Sequence, residues 1–199
     1  MNEGKIGEAE KLLEDDFEQS EKRLAYKAYE LGKVKELAFK YAEAAKYLQK
    51  AVTLDPNNST YLLALGDIER ANGHYDTAIE DFEKALAIDT VVYKDKPEKA
   101  TVLCNYLGLA WYGKGEYDRA IALYEKALAI DSVAFGNKHP DIARDFNNLG
   151  TAWGAKGEYD RAIALLEKAL AIDSVTFGNK HPAVATKYNN LASKWQDKG

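Results

Sequence analysis

The sequence predicts an all-α protein made of stacked antiparallel helix pairs, and three observations carry that expectation. First, residues 113–143 and 155–185 align at a shift of 42 residues with 26 of 31 positions identical, which is internal duplication. Second, Leu-Gly pairs recur as Leu31-Gly32, Leu65-Gly66, Leu107-Gly108 and Leu149-Gly150, with Leu191-Ala192 continuing the step. Third, Tyr41, Tyr75, Tyr117 and Tyr159 recur in one frame with alanines at 44, 78, 120 and 162 and again at 51, 85, 127 and 169. Around these marks apolar residues fall at i, i+3, i+4 and i+7, the spacing of an amphipathic helix.

The elements follow from that frame in chain order. Residues 4–22 read as a lone second helix, and 25–37 with 40–54 as the first pair. Residues 59–72 and 75–94 form the second pair, 98–114 and 117–135 the third, and 140–156 and 159–177 the fourth. Residues 182–197 read as a lone first helix. The repeat units are therefore 1–24 (an N-terminal capping half repeat), 25–58, 59–100, 101–142, 143–184 and 185–199 (a C-terminal half repeat or capping helix). Within a pair, one helix carries the Leu-Gly site and the next carries the two alanines. Small residues there let helix backbones approach closely. Gly73, Gly115 and Gly157 fall between paired helices, where a positive φ closes the first helix. The spacing grows from 34 to 42 after the first repeat. The eight extra residues, about two helical turns, fall after Asp89, Asp131 and Asp173, where the second helix is expected to run on. The connector Gly136-Asn137-Lys138-His139-Pro140 returns as Gly178-Asn179-Lys180-His181-Pro182, with the proline suited to open the next helix.

These residues resemble the tetratricopeptide repeat, whose order is W-x2-L-G-x2-Y, then A-x3-F, then A, then P. Ala78 precedes Phe82 and Ala85, Ala120 precedes Tyr124 and Ala127, and Leu48, Ala51 and Pro56 complete the first repeat. Here the tryptophans Trp111 and Trp153 stand after the Leu-Gly pair. The resemblance covers about residues 25–199. It implies a right-handed superhelical solenoid, with Trp111, Trp153 and Trp195 filling space between neighbouring pairs. The 42-residue repeat, with its His-Pro connector and Asn-Asn-Leu motif, is similar to the kinesin light chain class of these repeats, which binds cargo peptides in a concave groove. That kinship is of repeat type, and cargo transport does not follow from it.

Bulk properties remove several classes of function. A net charge of −5 argues against a nucleic-acid surface, which would need a basic stripe, and gives no attraction to anionic membrane. One cysteine, Cys104, precludes an intramolecular disulfide and fits a reducing cytoplasm. The segment MNEGKIGEAEKLLEDDFE shows no apolar run of a signal peptide, and no stretch reaches the ~18 apolar residues of a membrane helix.

Candidate chemistry is sparse. His139 and His181 are copies of one connector residue a whole repeat apart, too far for one zinc to bridge, so a structural role is expected and no metal. Cys104 shares its repeat position with Phe146 and Tyr188 on the predicted buried face and reads as a small hydrophobe. Glu14-Asp15-Asp16 lacks the looped oxygen pattern of a calcium site. No phosphate-binding or hydrolase motif occurs. Neither catalysis nor a cofactor is therefore expected.

The asparagines stand apart. Asn105, Asn147 and Asn189 share one repeat position, with Asn148 and Asn190 beside two of them. Asparagine forms helices poorly, and its amide can pair with both C=O and N–H of an extended peptide. Duplication of a neutral surface residue is the competing explanation. In the resembling family this face lines the groove, which makes Asn105, Tyr106, Tyr112, Arg144, Asn147, Asn148, Thr151, Thr186, Asn189, Asn190 and Ser193 the candidate peptide-binding residues. The carboxylate clamp of the chaperone-binding members is absent, because Tyr29, Lys33, Ala64, Val102 and Tyr106 occupy its places. The expected role is a scaffold for a protein or peptide ligand. The alternatives are a self-assembling module and a regulatory array within a larger signalling protein or enzyme. For self-assembly the frame offers a head-to-tail route. Gly4, Ile6, Ala9, Leu13 and Phe17 match a second helix, and Tyr188, Leu191, Ala192 and Trp195 match a first, although Asp16 stands where the other repeats have alanine.

Overall fold

A computed structural model describes residues 3–94 and 96–199, and the described residues form nine α-helices and no strand. These are α1 (Glu3–Leu37), α2 (Tyr41–Leu54), α3 (Ser59–Ala71), α4 (Tyr75–Val92), α5 (Glu98–Gly113), α6 (Tyr117–Phe135), α7 (Pro140–Ala155), α8 (Tyr159–Phe177) and α9 (Pro182–Lys198). The all-α helix-pair fold is as expected, and most boundaries lie within two residues of the sequence frame.

One expectation fails. The helices expected at 4–22 and 25–37 are a single helix of 35 residues. The junction Lys22-Arg23-Leu24-Ala25 holds neither glycine nor proline, and all four residues favour helix, so nothing there breaks the rod. The frame positions Gly4, Ile6 and Ala9 have side chains outside the described set.

The chain forms two compact units, 1–88 and 89–199. In the first, α1 packs on α2, and α2 on α3. In the second, α5 packs on α6, α6 on α7, α7 on α8 and α8 on α9. Short turns reverse the chain within each pair, so the paired helices run antiparallel.

The repeat marks turn out to be close-approach sites. Ala44, Ala78, Ala120 and Ala162 are fully buried, as are Ala51, Ala85, Ala127 and Ala169. Four residues after the first alanine of each repeat stands a large buried side chain, and it lies under the glycine of the Leu-Gly pair. A Cβ on Gly32 would meet Leu48 at 2.6 Å, on Gly66 Phe82 at 2.6 Å, on Gly108 Tyr124 at 2.3 Å and on Gly150 Leu166 at 3.0 Å. The Leu-Gly glycine is thus required by the residue facing it.

Each pair closes with the same turn. Glu116 N–H donates to Trp111 C=O at 2.9 Å and Gly115 N–H to Tyr112 C=O at 2.9 Å, with Gly115 at φ 84°. This is a Schellman closure. The first repeat makes it with Phe39 at φ 57°, the one described non-glycine residue with positive φ.

The expected packing of the tryptophans is met twice. Trp111 and Trp153 pack on the cluster of Ala120, Ile121, Tyr124, Leu149 and Ala152, and Arg119 and Arg161 cover their rings at 4.2 and 4.7 Å. Trp195 is half exposed, because among the described residues α8 is the one second helix that packs on α9 and none covers its other side. For the same reason Tyr188 is exposed, whereas its repeat equivalent Cys104 is buried and burial pushes that thiol up.

Candidate protein-binding face

The asparagine positions fall on the first helices α5, α7 and α9, all within the second unit. Asn148 Nδ2 donates to Asn105 Oδ1 at 3.1 Å, and one repeat later Asn190 Nδ2 donates to Asn147 Oδ1 at 2.9 Å. The second asparagine of α7 and of α9 therefore reaches back to the first asparagine position of the preceding first helix. These bridges tie α5 to α7 and α7 to α9. A bond repeated at a 43-residue separation calls for asparagine at both ends, one amide as donor and the other as acceptor.

Asn105 is buried, and its own amide donates to Asp145 Oδ1 at 2.8 Å. Its expected place on an open face is corrected: it stands behind that face and holds its frame. Asn147, Asn148 and Asn190 are half-buried, and only Asn189 of the five is exposed. The remaining candidates share the same three helices. Tyr106 and Tyr112 are half-buried on α5, and Tyr112 lies 5.5 Å from the Tyr117 ring. Arg144 and Thr151 are half-buried on α7, and Thr186 and Ser193 are exposed on α9. Thr151 and Thr186 donate their hydroxyls to the backbone carbonyls of Asn147 and Pro182 at 2.8 and 3.1 Å, which leaves hydroxyl lone pairs as acceptors.

Arg144 anchors a group that the sequence reading missed. Its guanidinium lies 2.7 Å from Asp141 and 3.5 Å from both Asp131 and Asp145. Asp131 and Asp145 are buried against each other between α6 and α7. Burial pushes both carboxyls up, Asp145 to about 6; the Asn105 hydrogen bond and the Arg144 charge oppose the rise in Asp145, and the charge of Asp131 adds to it. One repeat on, the place of Asp145 is taken by Lys187, which pairs with buried Asp173 at 3.2 Å. The sequence did carry a signal for this. Asp89, Asp131 and Asp173 share a repeat position on an otherwise apolar stripe.

The connector histidines have a structural role. Nδ1 of His139 accepts the Asp141 N–H at 3.3 Å, and Nδ1 of His181 accepts the Ala183 N–H at 3.2 Å, so each caps its helix. Their rings stack on Phe135 and Phe177 at 4.7 and 4.6 Å. Among the described residues no three or more His, Cys, Asp or Glu are grouped to hold a metal ion, and no helix is long and apolar enough to cross a membrane. The three first helices carry hydroxyl, amide and aromatic side chains, half-buried or exposed, at these positions.

Residues 98–173 match one family model described as tetratricopeptide repeat, and residues 38–91 match a second with the same description. Two crystal structures, one of them of a point variant, show the nearly identical TPR-like repeats of a kinesin light chain candidate from Podosopora anserina. Both are 24% identical to this chain, covering 90% of it and 88% of that chain, with TM-scores of 0.76 and 0.74. The crystal structure of BtubC (BKLC) from P. vanneervenii is 19% identical, covering 93% of this chain and 84% of that one, with a TM-score of 0.71. No curated protein matches the chain.

Proposed function

Because this chain is a tetratricopeptide repeat protein, with residues 38–91 and 98–173 matching that repeat, we propose that it is a non-catalytic scaffold that holds a peptide or protein segment along the shared face of α5, α7 and α9. The observation that carries the reading is the pair of asparagine bridges. They align three first helices and leave Tyr106, Tyr112, Asn148, Thr151, Thr186, Asn189 and Ser193 partly or wholly accessible beside buried Leu107 and Leu149. Aromatic rings with short polar side chains on a rigid surface suit an extended or helical segment, because little side-chain entropy is lost on contact.

The test is selection of binders from a displayed peptide library on the full chain. Binding of the selected peptides is then compared for wild type, the double variant Thr151→Arg with Ser193→Arg, and the distant control Lys50→Glu. Binding lost in the double variant and kept in the control supports this face. Equal binding to all three proteins places the site elsewhere.

A further inference from the structure

The continuity of α1 creates a surface that two separate helices would not have. Leu13, Phe17, Leu24, Leu31 and Val34 are each between 44% and 71% exposed. Their spacings are four, seven, seven and three residues, the a and d positions of a heptad repeat. This seam lies roughly 100° around the helix from the face that α1 turns to its own unit. That inner face consists of buried Ala25 and Ala28, with Gly32 under Leu48. The seam is therefore additional to the intramolecular packing of α1. Ser20 and Lys27 fill the other two d positions, so the seam is weaker than a full coiled coil.

Charge identifies what covers it. Residues 8–21 carry seven acids and one lysine, whereas residues 22–40 carry six bases and two acids. Two parallel copies of α1 would set acidic half against acidic half and Lys27 against Lys27. Two antiparallel copies set acidic against basic. In that register Phe17 faces Val34 of the second copy and Leu24 faces the stem of Lys27. The flanking positions then bring Arg23 to Glu30 and Glu14 to Lys35 across the pair. Glu14 and Glu30 are exposed, and Arg23 makes a loose 3.9 Å pair with Asp16 on its own helix. Lys35 already meets Glu43 of α2 at 2.5 Å and would be shared.

We propose that the exposed seam of α1 is a self-association surface, on which α1 of a second copy of this chain lies antiparallel to form a two-fold symmetric dimer. Such a contact uses the same patch on both copies and stops at two. It is independent of the face on α5, α7 and α9.

Sedimentation of the full chain over a concentration series tests the proposal. Wild type should form dimers and nothing larger. Leu24→Glu with Leu31→Glu should remain monomeric with unchanged helicity, since both positions are exposed. Arg23→Glu alone and Glu30→Arg alone should each weaken the dimer roughly tenfold, because two attractive pairs become repulsive. Combining them should restore it. A wild-type chain that stays monomeric to about 1 mM overturns the proposal and leaves the seam to a different partner. Growth beyond two copies overturns it in favour of head-to-tail assembly. Failure of the combined variant to recover overturns the antiparallel register.

Discussion

Asn190 donates its side-chain amide to the side-chain carbonyl of Asn147 at 2.9 Å, one repeat beyond the 3.1 Å bond from Asn148 to Asn105. The two bonds give the paired asparagines a division of labour. Asn105 and Asn147 accept from the next repeat, and Asn148 and Asn190 donate to the previous one. Asn189, third in the series of Asn105 and Asn147, is exposed on α9.

This division separates two alanine variants. Asn147→Ala removes the acceptor for a half-buried amide and should cost about 1 kcal/mol. Asn189→Ala should stay within about 0.5 kcal/mol. Urea unfolding followed by circular dichroism measures both, and equal losses would mean that the Asn147–Asn190 bridge does not contribute to stability.

The glycines of the Leu-Gly pairs should differ in their tolerance of a methyl group. A Cβ on Gly108 would stand 2.3 Å from the fully buried Tyr124 ring, whereas one on Gly150 would stand 3.0 Å from Leu166. Overpacking costs about 1–3 kcal/mol, and alanine returns up to about 1 kcal/mol of helix propensity. Gly108→Ala should therefore lower the melting temperature clearly and Gly150→Ala less. Tyr124→Leu, which imitates the facing residue of the next repeat, should recover part of the Gly108→Ala loss.

Acid titration should expose the buried Asp131–Asp145 pair. In the fold the Asp145 carboxyl rises from its ordinary 3.8 to about 6, chiefly through burial. Between those values the folded chain holds a proton that the unfolded chain has released. The stability contributed by this group is thus present below 3.8 and is lost as pH rises through 6. Asp145→Asn keeps an acceptor for Asn105, adds a donor toward Asp131 and removes a buried charge. It should raise stability by about 1 kcal/mol at pH 7, with a smaller gain at pH 5. A variant less stable than wild type at pH 7 would show that the Arg144 pairing outweighs the burial of both acids.

The turn after α1 carries strain that the other turns avoid. Phe39 holds φ 57° where Gly73, Gly115 and Gly157 hold 81–85°. A left-handed conformation costs a non-glycine residue about 1–2 kcal/mol. The exposed Phe39 ring recovers an edge contact with Tyr41 at 6.3 Å. Phe39→Gly should raise stability by about 0.5–1 kcal/mol, measured as a higher urea midpoint. No gain would mean that the Tyr41 contact offsets the strain.

Much of this protein was settled by the sequence alone, and the reason is periodicity. Helix identity, the paired turns and the buried alanines repeat four times in one frame. Each is enforced by local physics: a 3.6-residue apolar stripe, a positive φ in the turn that glycine holds in three of the four, and small side chains where helices meet. Duplication restated every one of those signals. The tertiary structure decided matters that depend on what lies opposite a residue. Gly108 is required because of Tyr124, and Asn105 is buried because Asn148 and Asp145 come to it from the next repeat. Asp131 sits beside Asp145 only once α6 packs on α7. The extent of α1 differs from the sequence frame because frame matching supplies a helix boundary at residues 23–24 where no residue breaks the backbone. A repeat template marks where a helix resembles its neighbours. Whether two matched segments are one rod depends on backbone hydrogen bonds that continue unbroken through Lys22-Arg23-Leu24-Ala25, and that continuity joins Leu13 and Phe17 to Leu24, Leu31 and Val34 in one exposed seam.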